Sequence, residues 1–183
     1  MKTKFILQGG FPKDGKQEND SFFTEILSTA PQDTKILLVL FAKEADRIEK
    51  NMKEDIEQFT KNSGGKNLVF DVATEESFLS QIQESDVIYF HGGHTGKLME
   101  TLKKFPEFPE LLKGKVVAGD SAGANVLCAG FYSLRMGAGE GFGVLPVKVI
   151  CHYVEENKNK LDEIRPDLET ILLPELKFKV FYY

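Results

Sequence analysis

Residues 115–127, KVVAGDSAGANVL, are the stretch that decides the fold. An apolar run ends at Gly119, Ser121 follows two residues later, and Gly123 leads into small and apolar residues that suit a helix. This G-x-S-x-G pattern between a strand and a helix is typical of a nucleophile elbow, in which a sharp turn exposes the serine hydroxyl and the glycines allow close backbone approach. A serine that only caps the following helix would give the same pattern, so both interpretations stay open at this point.

Apolar segments alternate with amphipathic ones through the first 130 residues, and this alternation predicts the fold class. Alternating strands and helices form a mostly parallel sheet with helices on both faces. We therefore expect a three-layer α/β sandwich in a single domain over residues 1–183, with its site beyond the carboxyl ends of the strands. Strands are predicted at residues 5–7, 35–41, 68–70, 87–90 and 115–118. Helices are predicted at residues 20–28, 43–61, 74–83 and 124–129, and a further helix passes through residues 98 and 102 towards 105.

The pattern changes after residue 130. Five glycines within residues 130–143 indicate a loop that is mobile or that another part of the backbone approaches closely. Residues 146–153 are the next predicted strand, and we expect it at a sheet edge because the proline that begins it cannot donate to a neighbouring strand. A polar helix is expected over residues 155–165, and residues 170–175 and 177–183 are expected to form two final strands or a hairpin.

Composition and charge exclude several classes of partner. The chain has 183 residues and a net charge of −5, and it lacks the basic stripe that binds a phosphate backbone, so we expect no nucleic acid partner. No apolar run approaches the roughly 18 residues of a membrane span, and the amino-terminal apolar run is too short for a signal peptide. We therefore expect a cytoplasmic protein with no membrane partner. The two cysteines have neither disulfide nor zinc-site spacing, and no motif indicates a cofactor.

A serine nucleophile needs an adjacent base, and the chain has three histidines that could serve. His152 ends an apolar strand downstream of Ser121, which favours it as the base. His91 and His94 follow the strand before the elbow, and each histidine could instead be an ordinary polar residue at a strand end. A metal site built from all three is a further alternative, although H-x-x-H spacing in a glycine-rich turn does not guarantee convergent side chains.

One carboxylate and two backbone segments complete the set of candidate catalytic groups. Among the many downstream acidic residues, Glu175 stands out because the apolar segment 171–174 delivers it to a fixed place. An oxyanion hole needs two backbone N–H donors. The residue after the nucleophile, Ala122, supplies one by the geometry of the elbow. The Gly92-Gly93 turn is the candidate for the other, because glycine permits close approach of the backbone.

Three segments, in order, resemble the peptidase E and cyanophycinase family of serine peptidases, whose fold is similar to that of the class I glutamine amidotransferases. Residues 89–95, YFHGGHT, resemble the family's strand followed by Gly-Gly-Asn-Thr. Residues 117–124, VAGDSAGA, resemble its nucleophile segment. Residues 141–153, GFGVLPVKVICHY, resemble its glycine-rich run leading to a histidine. Together these segments cover most of residues 85–153.

The resemblance implies a catalytic triad and an activity. Ser121 would be the nucleophile and His152 the base. Residues 173–175, LPE, resemble the late segment that supplies the triad acid, which implies Glu175. Family members cleave the bond after an N-terminal aspartate in dipeptides, or aspartyl bonds in cyanophycin. We therefore expect hydrolysis of short peptides through an acyl-enzyme, by a monomer or homodimer that needs no cofactor and no metal.

The same resemblance extends to the oxyanion hole and the substrate pocket. The oxyanion donors would be the backbone N–H groups of Gly93 and Ala122. An aspartyl substrate also needs a cation near its carboxylate, and His94 stands where the family has asparagine. The candidate substrate-binding residues are Gly92, His94, Thr95, Arg135 and Arg165.

A non-catalytic binding or regulatory domain on the same scaffold is the alternative function. The interval from His152 to Glu175 is shorter than expected for peptidase E, and few residues follow Glu175 in the chain. The short segment after Glu175 motivates this alternative. A serine that reacts with a nucleophile-directed probe would distinguish the enzyme from the binding domain.

Overall fold

The computed structural model describes residues 2–12 and 18–183, and in this part of the chain strands and helices alternate. None of the helices in these described residues is long and apolar enough to cross a membrane. In chain order the elements are β1 (Lys4–Gln8), α1 (Asp20–Leu27), β2 (Asp33–Val39), α2 (Ala45–Lys61), β3 (Asn67–Val72), α3 (Phe78–Glu84), β4 (Val87–Phe90), α4 (Thr95–Leu102), α5 (Phe108–Leu111), β5 (Val116–Asp120), α6 (Ala122–Leu127), β6 (Cys128–Ser133), β7 (Gly137–Gly139), β8 (Leu145–Cys151), β9 (Thr170–Leu173) and β10 (Phe178–Tyr182).

Six strands form a central sheet in the order β10-β1-β5-β4-β2-β3. Five of them run parallel, and β10 closes one edge antiparallel to β1. Strands β4 and β5 are buried along their whole length, as apolar parallel strands covered by helices must be. The registers place Gln8 beside Asp120 and Phe90 beside Gly119, so β1, β4 and β5 end at the same edge. This edge carries the candidate site.

Helices cover both faces of the central sheet, and each face has its own apolar core. Along β1, Phe5 and Leu7 belong to one core and Ile6 to the other, because successive side chains of a strand point to opposite faces. Helices α1 and α2 pack on the Ile6 side through residues such as Phe23 and Phe59, and α3 to α6 pack on the other side. The predicted α/β class, a mostly parallel sheet with helices on both faces, is confirmed.

The prediction of a loop over residues 130–143 is wrong for most of this segment, which is a β-hairpin, but the predicted close approach of the backbone is found at Gly141, where a Cβ would overlap the Cys128 carbonyl oxygen. Strands β6 and β7 pair antiparallel, with Phe131 opposite Gly139 and Ser133 opposite Gly137. Gly137 has a φ of 76°, which suits a tight turn, and a Cβ at Gly139 would lie 3.0 Å from the Phe131 ring. The glycines therefore belong to a hairpin, and the local sequence pattern does not show which strands pair.

Strand β8 is central rather than at an edge, so the interpretation of Pro146 is also wrong. The second sheet has the order β7-β6-β8-β9, and β8 pairs parallel with both neighbours. Cys128 pairs with Leu145 and Gly130 with Lys148, which leaves one extra residue on β8 between the two pairs. Pro146 lies in this bulge and is exposed, so its missing N–H removes no hydrogen bond between strands.

Residues 155–165 do not form the predicted helix. A 3₁₀ turn at Glu155–Asn157 is followed by further turns. Leu161 is fully buried, and the Nζ of buried Lys148 donates to its carbonyl at 2.9 Å, which holds the turns against the second sheet. Because few other side chains of this segment are buried, an amphipathic helix would gain little from packing.

The two final strands belong to different sheets and do not form a hairpin. Strand β9 pairs with β8 in the second sheet, and β10 pairs with β1 in the central sheet. Residues 174–177 therefore cross from one sheet to the other. The crossing passes the edge at which β1 ends, since the Gly9 N–H donates to the Lys177 carbonyl at 2.9 Å.

Gly123→Ala should destabilise the fold more than a matched glycine substitution. A Cβ at Gly123 would overlap the carbonyl oxygen of Phe90, and this backbone cannot move aside without shifting β4. We expect the free energy of unfolding, measured by urea denaturation, to fall by at least about 2 kcal/mol. In the control Gly130→Ala, the new Cβ would meet only side-chain atoms of Lys148 and Ile164, at 3.1 and 3.2 Å, so the loss should be smaller. Equal losses would contradict the close packing of α6 on β4.

Candidate active site

Ser121 lies in a strained turn between β5 and α6. Its φ of 46° is in the left-handed region, which a serine rarely adopts unless its surroundings hold it there. The Ser121 N–H donates to the Gln8 carbonyl at 3.0 Å, and its carbonyl accepts from the Asn125 N–H at 2.9 Å. A Cβ at Gly119 would lie 2.6 Å from the carbonyl carbon of Gly123, so these glycines let strand and helix approach. The Ser121 side chain makes no capping hydrogen bond to α6, so the helix-cap alternative is wrong.

His152 follows the last residue of β8 and faces the serine. Its Nε2 lies 3.2 Å from the Ser121 Oγ, within hydrogen-bond distance. The His152 backbone has a φ of 48°, and its N–H donates to the Gly9 carbonyl at 2.7 Å. The ring packs against Gly10, where any Cβ would overlap Nε2. The turn that ends β1 therefore sets both the backbone and the ring of this histidine.

Glu175 lies in the crossing segment 174–177 and reaches the other side of the same imidazole. Its Oε1 is 2.8 Å from the His152 Nδ1. Backbone hydrogen bonds of 2.9 Å join the segment to the two glycines that end β1. A carboxylate on Nδ1 favours the tautomer whose proton is on that nitrogen, which leaves Nε2 as an acceptor for the serine hydroxyl. The fold thus brings hydroxyl, imidazole and carboxylate together in that order.

Two backbone N–H groups near Ser121 have no acceptor among the described residues. One belongs to Gly93 in the turn after β4, which has a φ of 151° and no room for a Cβ beside the Ala42 carbonyl oxygen. The other belongs to Ala122, the first residue of α6, where the N–H groups of the first turn have no partner within the helix. These are the residues predicted as oxyanion donors, and both N–H groups are available to an anion.

A cleft of about 890 Å³ lies over Ser121 and His152. Its walls come from the β2–α2 connection with the start of α2, from the amino-terminal end of α4, and from the tip of the β6–β7 hairpin. Sequence reasoning missed the basic side chains of the α2 wall. Their position could have been predicted, since they follow β2, a strand that ends at the same edge as β5. The basic side chains that line the cleft are Lys43, Arg47, Lys50 and Arg135.

Four of the five predicted substrate-binding residues line this cleft. His94 also caps α4, since its Nδ1 accepts a hydrogen bond at 3.2 Å from a backbone N–H of that helix. Thr95 is buried, and its hydroxyl oxygen accepts from the Asn125 side-chain amide at 3.1 Å. Gly92 and Arg135 reach the cleft from the turn after β4 and from the hairpin tip.

Arg165 lies away from the cleft, contrary to its predicted role. It sits in the turns that follow β8, with a φ of 41°. Its Nε is 3.4 Å from the Asp167 Oδ1, and about half of its side chain is exposed. The local turn pairs the guanidinium with its own neighbour on the surface, where most arginines lie.

A buried polar cluster of Tyr89, His91, Asp120 and Asp55 lies beneath the candidate triad. The Tyr89 hydroxyl donates to the Asp120 Oδ1 at 2.8 Å, and the His91 Nδ1 lies 3.3 Å from both the Tyr89 hydroxyl and the Asp55 Oδ2. Burial raises the pKa of both carboxyls, and the nearby Asp120 raises that of Asp55 further. Burial, then the charge of Lys43, lowers the pKa of His91. These shifts favour a neutral imidazole at this position.

The three histidines occupy separate environments. His91 is fully buried in the polar cluster, His94 caps α4, and His152 faces the serine. Within residues 2–12 and 18–183, no group of three or more histidine, cysteine, aspartate or glutamate side chains could hold a metal ion. The alternative of a metal site built from the three histidines is therefore wrong. Cys128 and Cys151 are buried free thiols, and burial raises the pKa of each.

Comparison with known proteins now assigns the chain to a family. The model of peptidase family S51 matches residues 5–171, which is most of the chain. The chain belongs to peptidase family S51. It is a serine-type peptidase, which confirms the family that the three sequence segments resemble.

Solved structures share the fold. A peptidase from an acI-B1 Actinobacterium superposes with a TM-score of 0.71 at 23% identity, over 99% of this chain and 84% of that one. A candidate peptidase E protein from Listeria monocytogenes EGD-e superposes with a TM-score of 0.67 at 14% identity, over 100% of this chain and 98% of that one. At these identities the likeness shows the fold alone. No curated protein sequence matches the chain.

Asp55→Asn should stabilise the protein increasingly as the pH rises. Neither Asp55 carboxyl oxygen accepts a hydrogen bond from the described residues, and burial holds its pKa well above the ordinary 3.8. A carboxyl whose pKa is higher in the folded than in the unfolded state stabilises the fold fully at pH values below the unfolded-state pKa. This stabilisation is lost as the pH rises through the folded-state pKa. Relative to wild type, we expect the Tm of the variant to gain several degrees between pH 4 and pH 8, at about 2–4 °C per 1 kcal/mol.

Thermal melts followed by circular dichroism at pH 4, 6 and 8 measure this difference. Asp162→Asn, which removes an exposed carboxyl, is the control and should show no such trend. A pH-independent difference between Asp55→Asn and wild type would contradict the burial of a carboxyl with a raised pKa.

Proposed function

We propose that Ser121, His152 and Glu175 are the catalytic triad and that the protein hydrolyses short peptides through an acyl-enzyme. The observation that carries the proposal is the chain of contacts from Ser121 Oγ to His152 Nε2 at 3.2 Å and from His152 Nδ1 to Glu175 Oε1 at 2.8 Å. Three elements that are distant in sequence supply these groups. A nucleophile, a base and an orienting carboxylate in this order are what acyl transfer by serine requires.

In the proposed acylation, the serine hydroxyl attacks the scissile carbonyl of the peptide. The Nε2 of His152 takes the hydroxyl proton, and Glu175 stabilises the imidazolium that forms. The backbone N–H groups of Gly93 and Ala122 donate to the oxyanion of the tetrahedral intermediate. When the intermediate collapses, the imidazolium gives its proton to the leaving amine, the C–N bond breaks and the acyl group stays on Ser121.

Deacylation repeats these steps with water in place of the amine. His152 takes a proton from the water molecule, the water oxygen attacks the ester carbonyl, and the proton returns to the serine oxygen as the ester bond breaks. The side chains of His152 and Glu175 are 26% and 42% exposed, so water reaches this side of the cleft.

The proposed substrates are dipeptides with an N-terminal aspartate. The resemblance to peptidase E implies this class, and basic side chains among the cleft-lining residues, which also include the acidic Glu44, Asp46 and Glu54, support it. Lys43 and Arg135 face the cleft that contains Ser121. Of the two arginines predicted to bind substrate, Arg135, at the tip of the β6–β7 hairpin, lines the cleft, whereas Arg165 pairs with Asp167 elsewhere. We therefore assign the substrate carboxylate to Arg135.

Ser121→Ala should abolish hydrolysis of aspartyl dipeptides and leave the fold intact. Without the nucleophile only binding and the oxyanion hole remain, so kcat should fall by about a thousandfold or more. Chromatographic detection of released amino acid measures the rate, and circular dichroism checks the fold. Ser80→Ala, on the exposed face of α3, is the control and should keep wild-type turnover. Turnover by Ser121→Ala equal to that of wild type would refute the proposed nucleophile.

Arg135→Ala should weaken the binding of aspartyl dipeptides specifically. Loss of a hydrogen bond between two charged groups costs about 1.5–3 kcal/mol, so the KM for an aspartyl dipeptide should rise at least tenfold. The KM for a dipeptide with a neutral first residue should not change. Arg165→Ala removes an arginine that lies outside the cleft and is the matched control. If both arginine variants keep the wild-type KM, Arg135 does not bind the substrate carboxylate.

A further inference from the structure

We propose that Asp120 is a positioning residue that holds the oxyanion donor of Gly93 in place through the backbone of Gly92. Asp120 is the last residue of β5 and immediately precedes the nucleophile, and Gly92 lies in the turn after the neighbouring strand β4. The inference rests on the proposed function, because it assigns a task in the same reaction to a side chain outside the triad.

The Asp120 carboxylate joins the two strand ends that carry the nucleophile and the oxyanion turn. Its Oδ1 accepts from the Gly92 N–H at 2.7 Å and from the Tyr89 hydroxyl at 2.8 Å. The Asp120 residue is only 3% exposed, so water does not compete for these hydrogen bonds. Hydrogen bonds to a buried carboxyl oxygen are strong and directional, so this contact fixes the position of the Gly92 peptide group.

Gly92 is the residue that this contact requires. A Cβ at Gly92 would overlap the Asp120 Oδ2 and would lie 3.2 Å from the Asp120 carbonyl oxygen. The absence of a side chain therefore lets the carboxylate lie against the backbone of the turn. The glycine and the aspartate form one contact, made from two strands that are neighbours in the sheet.

The opposite side of the turn has its own anchor. The His94 N–H donates to the Ala42 carbonyl at 2.9 Å, and Gly93 packs against the same carbonyl. Gly93 thus lies between two fixed neighbours, while its own N–H has no acceptor among the described residues. Fixed, unpaired donors are what stabilise an oxyanion without a cost of reorganisation. Without Asp120, two flexible glycines would be held from one side only.

The proposed role of Asp120 requires a hydrogen-bond acceptor and does not require a negative charge. Burial raises the pKa of Asp120, whereas Lys43 and the hydrogen bonds from Tyr89 and Gly92 oppose that shift. An amide oxygen at the same position accepts the Gly92 N–H as a carboxylate oxygen does. Asparagine should therefore replace Asp120, and alanine should not.

The test is the rate at which a fluorophosphonate inactivates the enzyme. The Ser121 oxygen bonds to the phosphorus of the probe as fluoride leaves, His152 takes the hydroxyl proton, and the phosphoryl oxygen enters the oxyanion hole. In Asp120→Ala, kinact should fall about 10- to 100-fold, as expected for a donor displaced by about 1 Å, with the KI for the probe unchanged. Asp120→Asn should stay within about threefold of wild type, because it keeps the acceptor.

Two further variants keep the test decisive. Tyr89→Phe removes the other donor to the same oxygen and leaves the Gly92 anchor, so it should lower the Tm but keep kinact within about threefold of wild type. Gly92→Ala breaks the contact from the opposite side, and it should lower kinact as Asp120→Ala does, even if the latter fails to fold. Rates are expressed per reactive site, so partial unfolding does not imitate the effect.

The outcomes distinguish this inference from the proposed function. If the wild-type protein forms no adduct at Ser121, the proposed function fails. If wild type reacts but folded Asp120→Ala or Gly92→Ala reacts at the wild-type rate, the positioning role fails and the triad stands. A loss in Asp120→Asn as large as that in Asp120→Ala would also overturn the inference, because it would show that charge rather than the acceptor matters.

Discussion

The backbone of Gly9 and Gly10, where β1 ends, is the constraint on which the candidate site depends. The Gly9 carbonyl accepts from the His152 N–H at 2.7 Å, and the Gly10 carbonyl accepts from the Leu176 N–H at 2.9 Å. One turn therefore fixes the segment that carries the imidazole and the segment that carries the carboxylate. Neither glycine has room for a Cβ, which would overlap the Pro174 carbonyl oxygen at Gly9 and the imidazole at Gly10.

The turn is also where the two sheets meet, and backbone strain is concentrated there. The central sheet supplies Ser121, the second sheet supplies His152, and the segment that crosses between them supplies Glu175. Ser121, His152 and Leu176 have φ values of 46°, 48° and 63°. Each such conformation costs about 1–3 kcal/mol and persists only where the surrounding packing determines it. The buried strands on both sides of the turn provide that packing, so the reactive geometry is part of the folded core.

Sequence was sufficient for the parts of the fold whose signal is local. The strands of the central sheet are apolar runs between amphipathic helices, and the elbow at Ser121 has its glycines two residues to either side, so both could be predicted. The β6–β7 hairpin and the bulge at Pro146 could not, because they depend on which strand pairs with which. The helix expected over residues 155–165 failed because burial of Leu161, rather than periodicity, organises that segment.

The candidate site divides in the same way. Ser121 lies in a recognisable motif, and strand ends together with the family resemblance indicate His152 and Glu175. The match to peptidase family S51 confirms the family, not the roles of these residues. The basic side chains of α2 that line the cleft could have been predicted from the strand end that precedes them, whereas the contact of Asp120 with Gly92 joins elements that are far apart in the chain, and no local pattern reports such a contact. The outward turn of Arg165 likewise follows from its pairing with Asp167.

A crystal structure of the protein inactivated by a fluorophosphonate tests the central claim most directly. The account predicts phosphorus bonded to the Ser121 Oγ and a phosphoryl oxygen about 2.7–3.1 Å from the backbone nitrogens of Gly93 and Ala122. It also predicts that the His152 ring lies beside the adduct and that its Nδ1 is still hydrogen-bonded to Glu175. Phosphorus on any other residue, or a phosphoryl oxygen directed away from these two nitrogens, would contradict the account.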